Sequence, residues 1–333
     1  MNTLSLPRRA VLAAALFAAF PVAVYAQAPA AAWPQRPVRL IVPFAAGGPS
    51  DALARAFARS LSDVTGQPVV VDNRGGAGGA IGIDAVAKAA PDGYTLGIAH
   101  TGTMAINPHV MAKHPYDPLA DLTAVTPIVS YANVLVVNDK VPARNVQEFV
   151  AWAKANPNAA TYGTGGAGTT NHLAGEVLKV LTGAPMVHVP YKGSGPAMID
   201  VVAGNIASMF DQPVTVIPQA KSGRIRALSI LSSHRSSALP DVPTLREAGV
   251  PGFEQAGSDL WFGLVTPPNL PPALLERIYA ETMKAVRKPE LQETIKTMAF
   301  EPWTMTPAEF KTFLRNDYAK WGKVVKAANI KPE

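Results

Sequence analysis

Two glycine-rich turns carry the residues best suited to chemistry. The first is IVPFAAGGPSD (41–51) and the second is GTGGAGTTNH (163–172), and each stands between an apolar run and a helical pattern. A helix N-terminus offers backbone N–H groups and the positive end of its dipole, so this order of elements favours an anion such as a phosphate or carboxylate. Two such turns could face each other across a cleft, each holding one carboxylate with two or three donors. Together they would supply roughly 8 kcal/mol, the binding free energy of a micromolar ligand. Residues 75–82 form a third turn of this kind, so the plainer interpretation, turns that only join strands to helices, stays open.

The second turn does not indicate a nucleotide site. Gly163, Gly165 and Gly168 match the spacing G-x-G-x-x-G. A dinucleotide site also needs an acidic residue at the end of the following strand, and that strand, VHVPYKG, has none. The sequence G-x-x-x-x-G-K-[ST] of a P-loop is absent.

Catalytic patterns are weak. GPSDA resembles a nucleophile elbow, but residues 45–49 separate Ser50 from the strand, so we predict that Ser50 caps a helix beginning at Asp51 or Ala52. The six histidines lack metal-binding spacing and there is no cysteine, so we expect no metal and no cofactor. The competing enzymatic hypothesis is acid–base chemistry by His172 or His100 with Asp211.

Composition indicates an exported α/β protein. The chain has 333 residues, of which 26 are glycine and 31 proline, and 16% are charged. Arg8 and Arg9 precede an apolar run that ends in Val24-Tyr25-Ala26, which predicts a signal peptide over residues 1–26, cleaved near Ala26. Export without disulfides is typical of a bacterial periplasm. Without the two arginines the net charge is 28 − 24 = +4, with no basic cluster, so nucleic acid is not an expected partner.

The elements that position the turns form two blocks. Short β-branched runs alternate with amphipathic helical patterns, which indicates parallel βαβ units. We predict one domain inserted in another, with residues 34–130 and 233–333 as lobe 1 and residues 131–232 as lobe 2. Hinge strands are expected near 129–133 and 258–266.

Several segments carry a family resemblance. RPVRLIVPFAAGGPSD, GQPVVVDNRGGAGGAIG, PYDPLADLTAVTPI and LPDVPTLREAGVPGFE resemble the Bug-type receptors of tripartite tricarboxylate transporters, and the similarity runs from about residue 34 to 333. It implies a two-lobed periplasmic-binding-protein type II (Venus flytrap) fold without enzymatic activity. Such a receptor captures a small carboxylate, a mono- or dicarboxylate that includes amino and aromatic acids, for membrane permease subunits, and we expect a monomer. A sensor that presents the ligand to a signalling protein is the alternative.

The resemblance also implies ligand-binding positions. They lie in the first turn, in the second turn with His172, in the loop AHTGTMAINP, and at Asp211, for which helix capping is the plainer role. Three departures from the family pattern stand out: Pro49 removes a backbone donor, His100 adds a ring, and Asp259 comes near the cleft mouth. The implied ligand-binding residues are Phe44, Gly47, Gly48, Ser50, Asp51, His100, Thr101, Thr103, Thr164, Gly166, Ala167, Gly168, Thr169, His172 and Asp211.

Overall fold

The structure is a computed structural model that describes residues 33–232, 234–236, 238–252, 260–327 and 330. The predicted signal peptide, residues 1–26, and Asp259 lie outside the described residues. Among the described residues the strands are β1 Val38–Val42, β2 Val69–Asn73, β3 Thr95–His100, β4 Thr123–Tyr131, β5 Val134–Asn138, β6 Thr161–Thr164, β7 Val187–Pro190, β8 Ser208–Asp211, β9 Ile225–Ile230, β10 Leu260–Thr266 and β11 Glu301–Pro302.

The helices cover the sheets on both faces, as an α/β fold requires. A short 3-10 turn, Ala77–Gly79, leads into the second α-helix, and a π-helical segment, Gly102–Ile106, leads into the third. The α-helices of the described residues are α1 Pro49–Thr65, α2 Ala80–Ala87, α3 Asn107–Val110, α4 Val146–Ala155, α5 Thr170–Thr182, α6 Ser194–Ala203, α7 Pro213–Lys221, α8 Pro272–Val286, α9 Pro289–Thr297 and α10 Pro307–Ala327.

Two separate sheets form the centres of two lobes. The six-stranded sheet has the order β11-β4-β10-β3-β1-β2, and the five-stranded sheet has the order β7-β6-β8-β5-β9. Strands β1, β2 and β3 are parallel, as the alternating pattern predicts, while β10 is antiparallel to both of its neighbours. The chain passes from the first sheet to the second between β4 and β5, and it returns between β9 and β10. The two-lobed α/β class is confirmed; the lobe boundaries given above stay a prediction.

Only the end of strand β4 is predicted from its sequence, as the hinge strand near 129–133, because Pro127 lies in the middle of the strand. Proline cannot donate to a strand ladder and is usually confined to edges or bulges. Here Pro127 pairs with Gly263 at a register shift of β10, so the irregular pairing accommodates the missing N–H. This strand matters for the site because it ends at Tyr131, at the crossing between the lobes.

Helix α1 packs against the first sheet through the apolar face that its sequence predicts. Leu53, Phe57 and Leu61 are fully buried there. Burial of each such side chain contributes roughly 1.5–3 kcal/mol, so this face fixes the helix and the turn that precedes it. The N-terminus of α1 is thereby held at the edge of the interlobe cleft.

The lobes are in contact around the turns. The Ala45 N–H of lobe 1 donates to the Lys192 carbonyl of lobe 2 at 3.1 Å. Glycines permit the close approach: a Cβ atom on Gly78 would lie 1.9 Å from the Ala167 carbonyl oxygen of the other lobe. The structure therefore represents a closed arrangement of the two lobes.

Candidate functional site

A cavity lies between the lobes where the two glycine-rich turns meet. It holds about 380 Å³ of atom-free space, counting the part open to solvent. Among the described residues that line it there is no Lys, Arg, Asp or Glu. Lobe 1 contributes Phe44, Ala45, Gly48, Pro49, Ser50, His100, Tyr131 and Phe262, and lobe 2 contributes Gly165, Thr169, Thr170, Asn171, Ser194 and Gln212.

The N-termini of α1, α5, α6 and α7 all contribute to the cavity wall. Their first residues or caps, Gly48, Thr169, Ser194 and Gln212, are among the lining residues. Each N-terminus favours an anion by about 0.3–1 kcal/mol, and by up to about 2 kcal/mol when partly buried. These N-termini therefore favour an anion in the cavity, and none of its described lining residues is a cation.

Helix α1 begins earlier than the sequence predicts. Gly48 is the N-cap and Pro49 occupies the first helical turn, so the prediction that Ser50 caps a helix beginning at Asp51 or Ala52 is wrong. Proline suits this position, since its fixed φ is helical and its missing N–H would have had no partner within the helix. Ser50 instead lies in the first turn and lines the cavity.

Aromatic rings form the wall on the lobe 1 side. The His100 ring lies between Phe44, at a centroid distance of 4.9 Å, and Phe262, at 5.9 Å. The Tyr131 ring stacks on the Phe262 ring, at a centroid distance of 4.8 Å. This wall is apolar apart from the imidazole of His100 and the hydroxyl of Tyr131.

His100 is neutral and its tautomer is fixed. Burial lowers the pKa of His100 to about 3. The Gly102 N–H donates to its Nδ1 at 2.9 Å, so the ring proton is on Nε2. With so low a pKa the ring is a poor general base near neutral pH, which weighs against the acid–base hypothesis.

The hydroxyls of Thr101 and Thr103 are used within lobe 1. Thr101 Oγ1 accepts a hydrogen bond from the backbone N–H of Trp261 at 3.0 Å. Thr103 Oγ1 donates to the His100 carbonyl at 3.0 Å. Neither residue lines the cavity, and together they hold His100 and β10 in place.

The Tyr131 hydroxyl meets polar side chains of lobe 2, namely Thr170 and Gln212. Burial raises the pKa of the Tyr131 hydroxyl to about 12, against hydrogen bonds from Thr170 and Gln212 that lower it. Asp211 lies directly behind Gln212, and its carboxylate accepts a hydrogen bond from the Thr215 hydroxyl at 2.6 Å. Burial raises the pKa of Asp211 to about 6, although hydrogen bonds from Thr215 and from the Gln212 backbone oppose the shift.

Asp51 fastens the first turn instead of lining the cavity. Its carboxylate accepts hydrogen bonds from the Gly47 N–H at 3.0 Å, from Arg55 Nε at 3.0 Å and from Asn73 Nδ2 at 2.9 Å. Burial opposes ionisation, but these hydrogen bonds and the Arg55 charge outweigh it and lower the pKa of Asp51. Gly47 has φ +89°, so it supplies the left-handed backbone that the turn needs.

Most of the predicted second turn forms a scaffold behind the cavity. Thr164, Gly166, Ala167, Gly168 and His172 are absent from its lining, whereas Thr169 is present. Thr164 Oγ1 accepts from the Gly166 N–H at 3.1 Å, and His172 Nδ1 accepts from the Gly168 N–H at 3.2 Å. These contacts shape the turn that presents the N-terminus of α5.

Several lining residues have no counterpart among the predicted ones. Asn171 is the second residue of α5, Ser194 is the first residue of α6, and Gln212 is the cap before Pro213, which is a recognisable helix-start signal. Tyr131 and Phe262 are far apart in sequence and meet only because β4 and β10 pair. No local sequence signal could have joined them.

The described residues contain no group of acidic, histidine or cysteine side chains that could hold a metal ion. No helix in the described ranges is long and apolar enough to cross a membrane.

Comparison with known proteins identifies the family. Residues 53–330 match the model of the tripartite tricarboxylate transporter family receptor. The chain belongs to this family. It is 36% identical to the protein BugT of Bordetella pertussis over 300 residues, which cover 90% of this chain and 91% of BugT.

Solved structures of relatives show the same fold. The periplasmic binding protein BugD has a TM-score of 0.86 at 31% identity, over 90% of this chain and 100% of that chain. The Rpa4515 protein of R. palustris, solved with adipate, has a TM-score of 0.85 at 34% identity over 90% of this chain and 100% of that chain. This chain is accordingly a solute-binding receptor of a family of periplasmic binding proteins, and the family is not enzymatic.

Proposed function

We propose that this receptor captures a small carboxylate between its lobes in the periplasm and delivers it to the membrane permease subunits of a tripartite tricarboxylate-type transporter. The observation that carries the proposal is the convergence of α1, α5, α6 and α7 on a cavity whose described lining residues carry no charge. Each backbone or hydroxyl hydrogen bond to a carboxylate adds about 1.5–3 kcal/mol, so a few donors from two lobes suffice for micromolar affinity.

The relatives support the choice of ligand class. The Rpa4515 structure contains adipate, a small dicarboxylate. In this chain the cavity is lined by the hydroxyl groups of Ser50 and Thr170, which suit carboxylate oxygens. Export with cleavage near Ala26 is part of the proposal, because the receptor must meet its ligand outside the inner membrane.

The test is a binding panel on the purified protein after denaturation, removal of small molecules and refolding. We expect saturable thermal stabilisation and calorimetric binding by at least one small mono- or dicarboxylate, and none by its uncharged amide. Mass spectrometry of the small molecules released on denaturation identifies the natural ligand. Recovery of a sugar or a cation, with no response to any carboxylate, would contradict the proposal.

The transporter partnership has its own measurement. Deletion of the chromosomal copy should abolish uptake of the identified carboxylate, and the wild-type protein should restore it. A variant that binds the ligand normally but fails to restore uptake would map the permease-docking surface. Restoration of a transcriptional response without uptake would favour the sensor alternative instead.

A further inference from the structure

The Nε2 atom of His100 makes no hydrogen bond with the described residues of the closed protein. The side chain is 3% exposed and lines the cavity, and Nε2 is buried without a hydrogen-bond partner in the described residues. Because Nδ1 already accepts from the Gly102 N–H, Nε2 carries the proton. A buried donor left without a partner is destabilising, so this N–H is suited to an acceptor on a bound ligand.

We propose that His100 recognises an uncharged oxygen, a hydroxyl or keto group, on the carboxylate that the helix N-termini hold. The proposal rests on the proposed function and narrows its ligand class. An ammonium group of the ligand cannot be the partner of Nε2, because both groups are hydrogen-bond donors.

A ligand carboxylate fits poorly beside His100. An ionised carboxylate has two oxygens that accept several hydrogen bonds, whereas the His100 imidazole supplies one donor. The rings of Phe44 and Phe262 flank the imidazole. The neighbouring hydroxyls of Thr101 and Thr103 are already engaged within lobe 1. A charge placed here would lose its hydration with too little compensation, whereas a single neutral oxygen needs only the one N–H.

Gly102 positions the ring. A Cβ atom on Gly102 would lie 2.4 Å from His100 Cε1 and 2.9 Å from Nδ1, so only glycine permits the imidazole to rest against this backbone. Replacement by alanine would push the ring away while leaving its chemistry unchanged. Gly102 is thus a positioning residue for the proposed donor.

The experiment compares ligands that differ by one oxygen. Calorimetry on the wild-type protein would use malate with succinate, 2-hydroxyglutarate with glutarate, 4-hydroxybutanoate with butanoate, and 4-oxopentanoate with pentanoate. We expect the oxygenated member of at least one pair to bind about tenfold more tightly, the upper range for one neutral hydrogen bond. His100→Phe should reduce that preference to within about threefold, since phenylalanine keeps the stacking but has no donor.

Two further variants separate the donor from the fold. His100→Gln can place an amide N–H near the former Nε2 position and should keep most of the preference, whereas His100→Asn, which reaches only the Nδ1 position, should lose it. Gly102→Ala should lose it as well. Circular dichroism and the affinity for the plain carboxylates report whether each variant is folded.

The outcomes are distinguishable from those of the function test. If carboxylates bind but no pair is distinguished by the wild type, or if His100→Phe keeps the preference, His100 is not the determinant and the proposed function is unaffected. If no carboxylate binds, the proposed function fails and this inference fails with it.

Discussion

At the scale of single residues, the ionisation of Asp211 is linked to the stability of the fold. Its carboxyl is fully buried, and burial raises its pKa to about 6 from an ordinary value of 3.8. The folded state therefore binds a proton more tightly than the unfolded state does. Stability from this group is present below about pH 4 and is lost as the pH rises through 6.

Replacing Asp211 with asparagine tests this directly. Asn cannot ionise, so the variant should not lose stability between pH 4 and pH 7 through this position. The free energy of unfolding of Asp211→Asn minus that of the wild type should rise by up to about 3 kcal/mol over this range, measured by urea denaturation at each pH. A difference that is constant with pH would mean that Asp211 is ionised in the folded protein throughout.

Single residues also mark where sequence reasoning stops. His100 is recognisable in the sequence as a ring where the family has smaller side chains, but its neutrality depends on Phe44, Phe262 and Gly102 packing around it. Thr101 is close in sequence to His100, yet its hydroxyl accepts from the Trp261 N–H 160 residues away. Such pairings depend on tertiary contacts that no local pattern encodes.

At the scale of elements, the anion preference belongs to the helix N-termini and can be tested with a charge. Ser50 lies in the first turn of α1 and lines the cavity. Ser50→Asp would fix a carboxylate there, where the helix dipole favours it by about 0.3–1 kcal/mol and where it would repel an anionic ligand by several kcal/mol at short range.

The matched control is Ser50→Asn, which has nearly the same shape and no charge. Steric loss should be equal in the two variants, so the electrostatic part is their difference. We expect Ser50→Asp to bind the carboxylate at least about tenfold more weakly than Ser50→Asn in calorimetry at low salt. Equal affinities would show that the α1 N-terminus does not face the ligand charge.

The elements were largely predictable because their periodicity is strong. The runs that form β1, β2, β3, β5 and β10 are apolar and bounded by turn residues, and α1 and α10 have clear amphipathic faces. Most of strand β4 and the whole of helix α9 were not predicted. Pro127 interrupts the first, and PELQETIKT in the second is short and mostly polar, so its two buried side chains, Leu291 and Ile295, give little periodic signal.

At the scale of the whole molecule, ligand capture depends on how closely the lobes approach. Gly78 of lobe 1 lies against the Ala167 carbonyl of lobe 2, and Gly166 lies against Gly78 in turn. Two backbones in such contact leave no room for a side chain. The closed state is therefore sensitive to a single methyl group at a residue that does not line the cavity.

Gly78→Ala should hold the lobes apart. Its Cβ atom would lie 1.9 Å from the Ala167 carbonyl oxygen, and Gly78 also has φ +58°, a conformation that disfavours alanine. The control is Gly66→Ala in the same lobe, where φ is +70° and no atom lies within 4 Å of the added methyl group. Both variants lose about 1 kcal/mol through backbone strain, but only Gly78→Ala obstructs closure.

The two variants should therefore diverge in binding and in shape. Because apparent affinity falls with the fraction of closed protein, Gly78→Ala should bind the carboxylate at least about tenfold more weakly than Gly66→Ala. In small-angle scattering at saturating ligand, its radius of gyration should stay above that of the wild type, whereas Gly66→Ala should contract normally. Equal affinity and equal contraction in both variants would mean that the ligand is bound without the interlobe contact at Gly78, and the closed arrangement would then not be the binding state.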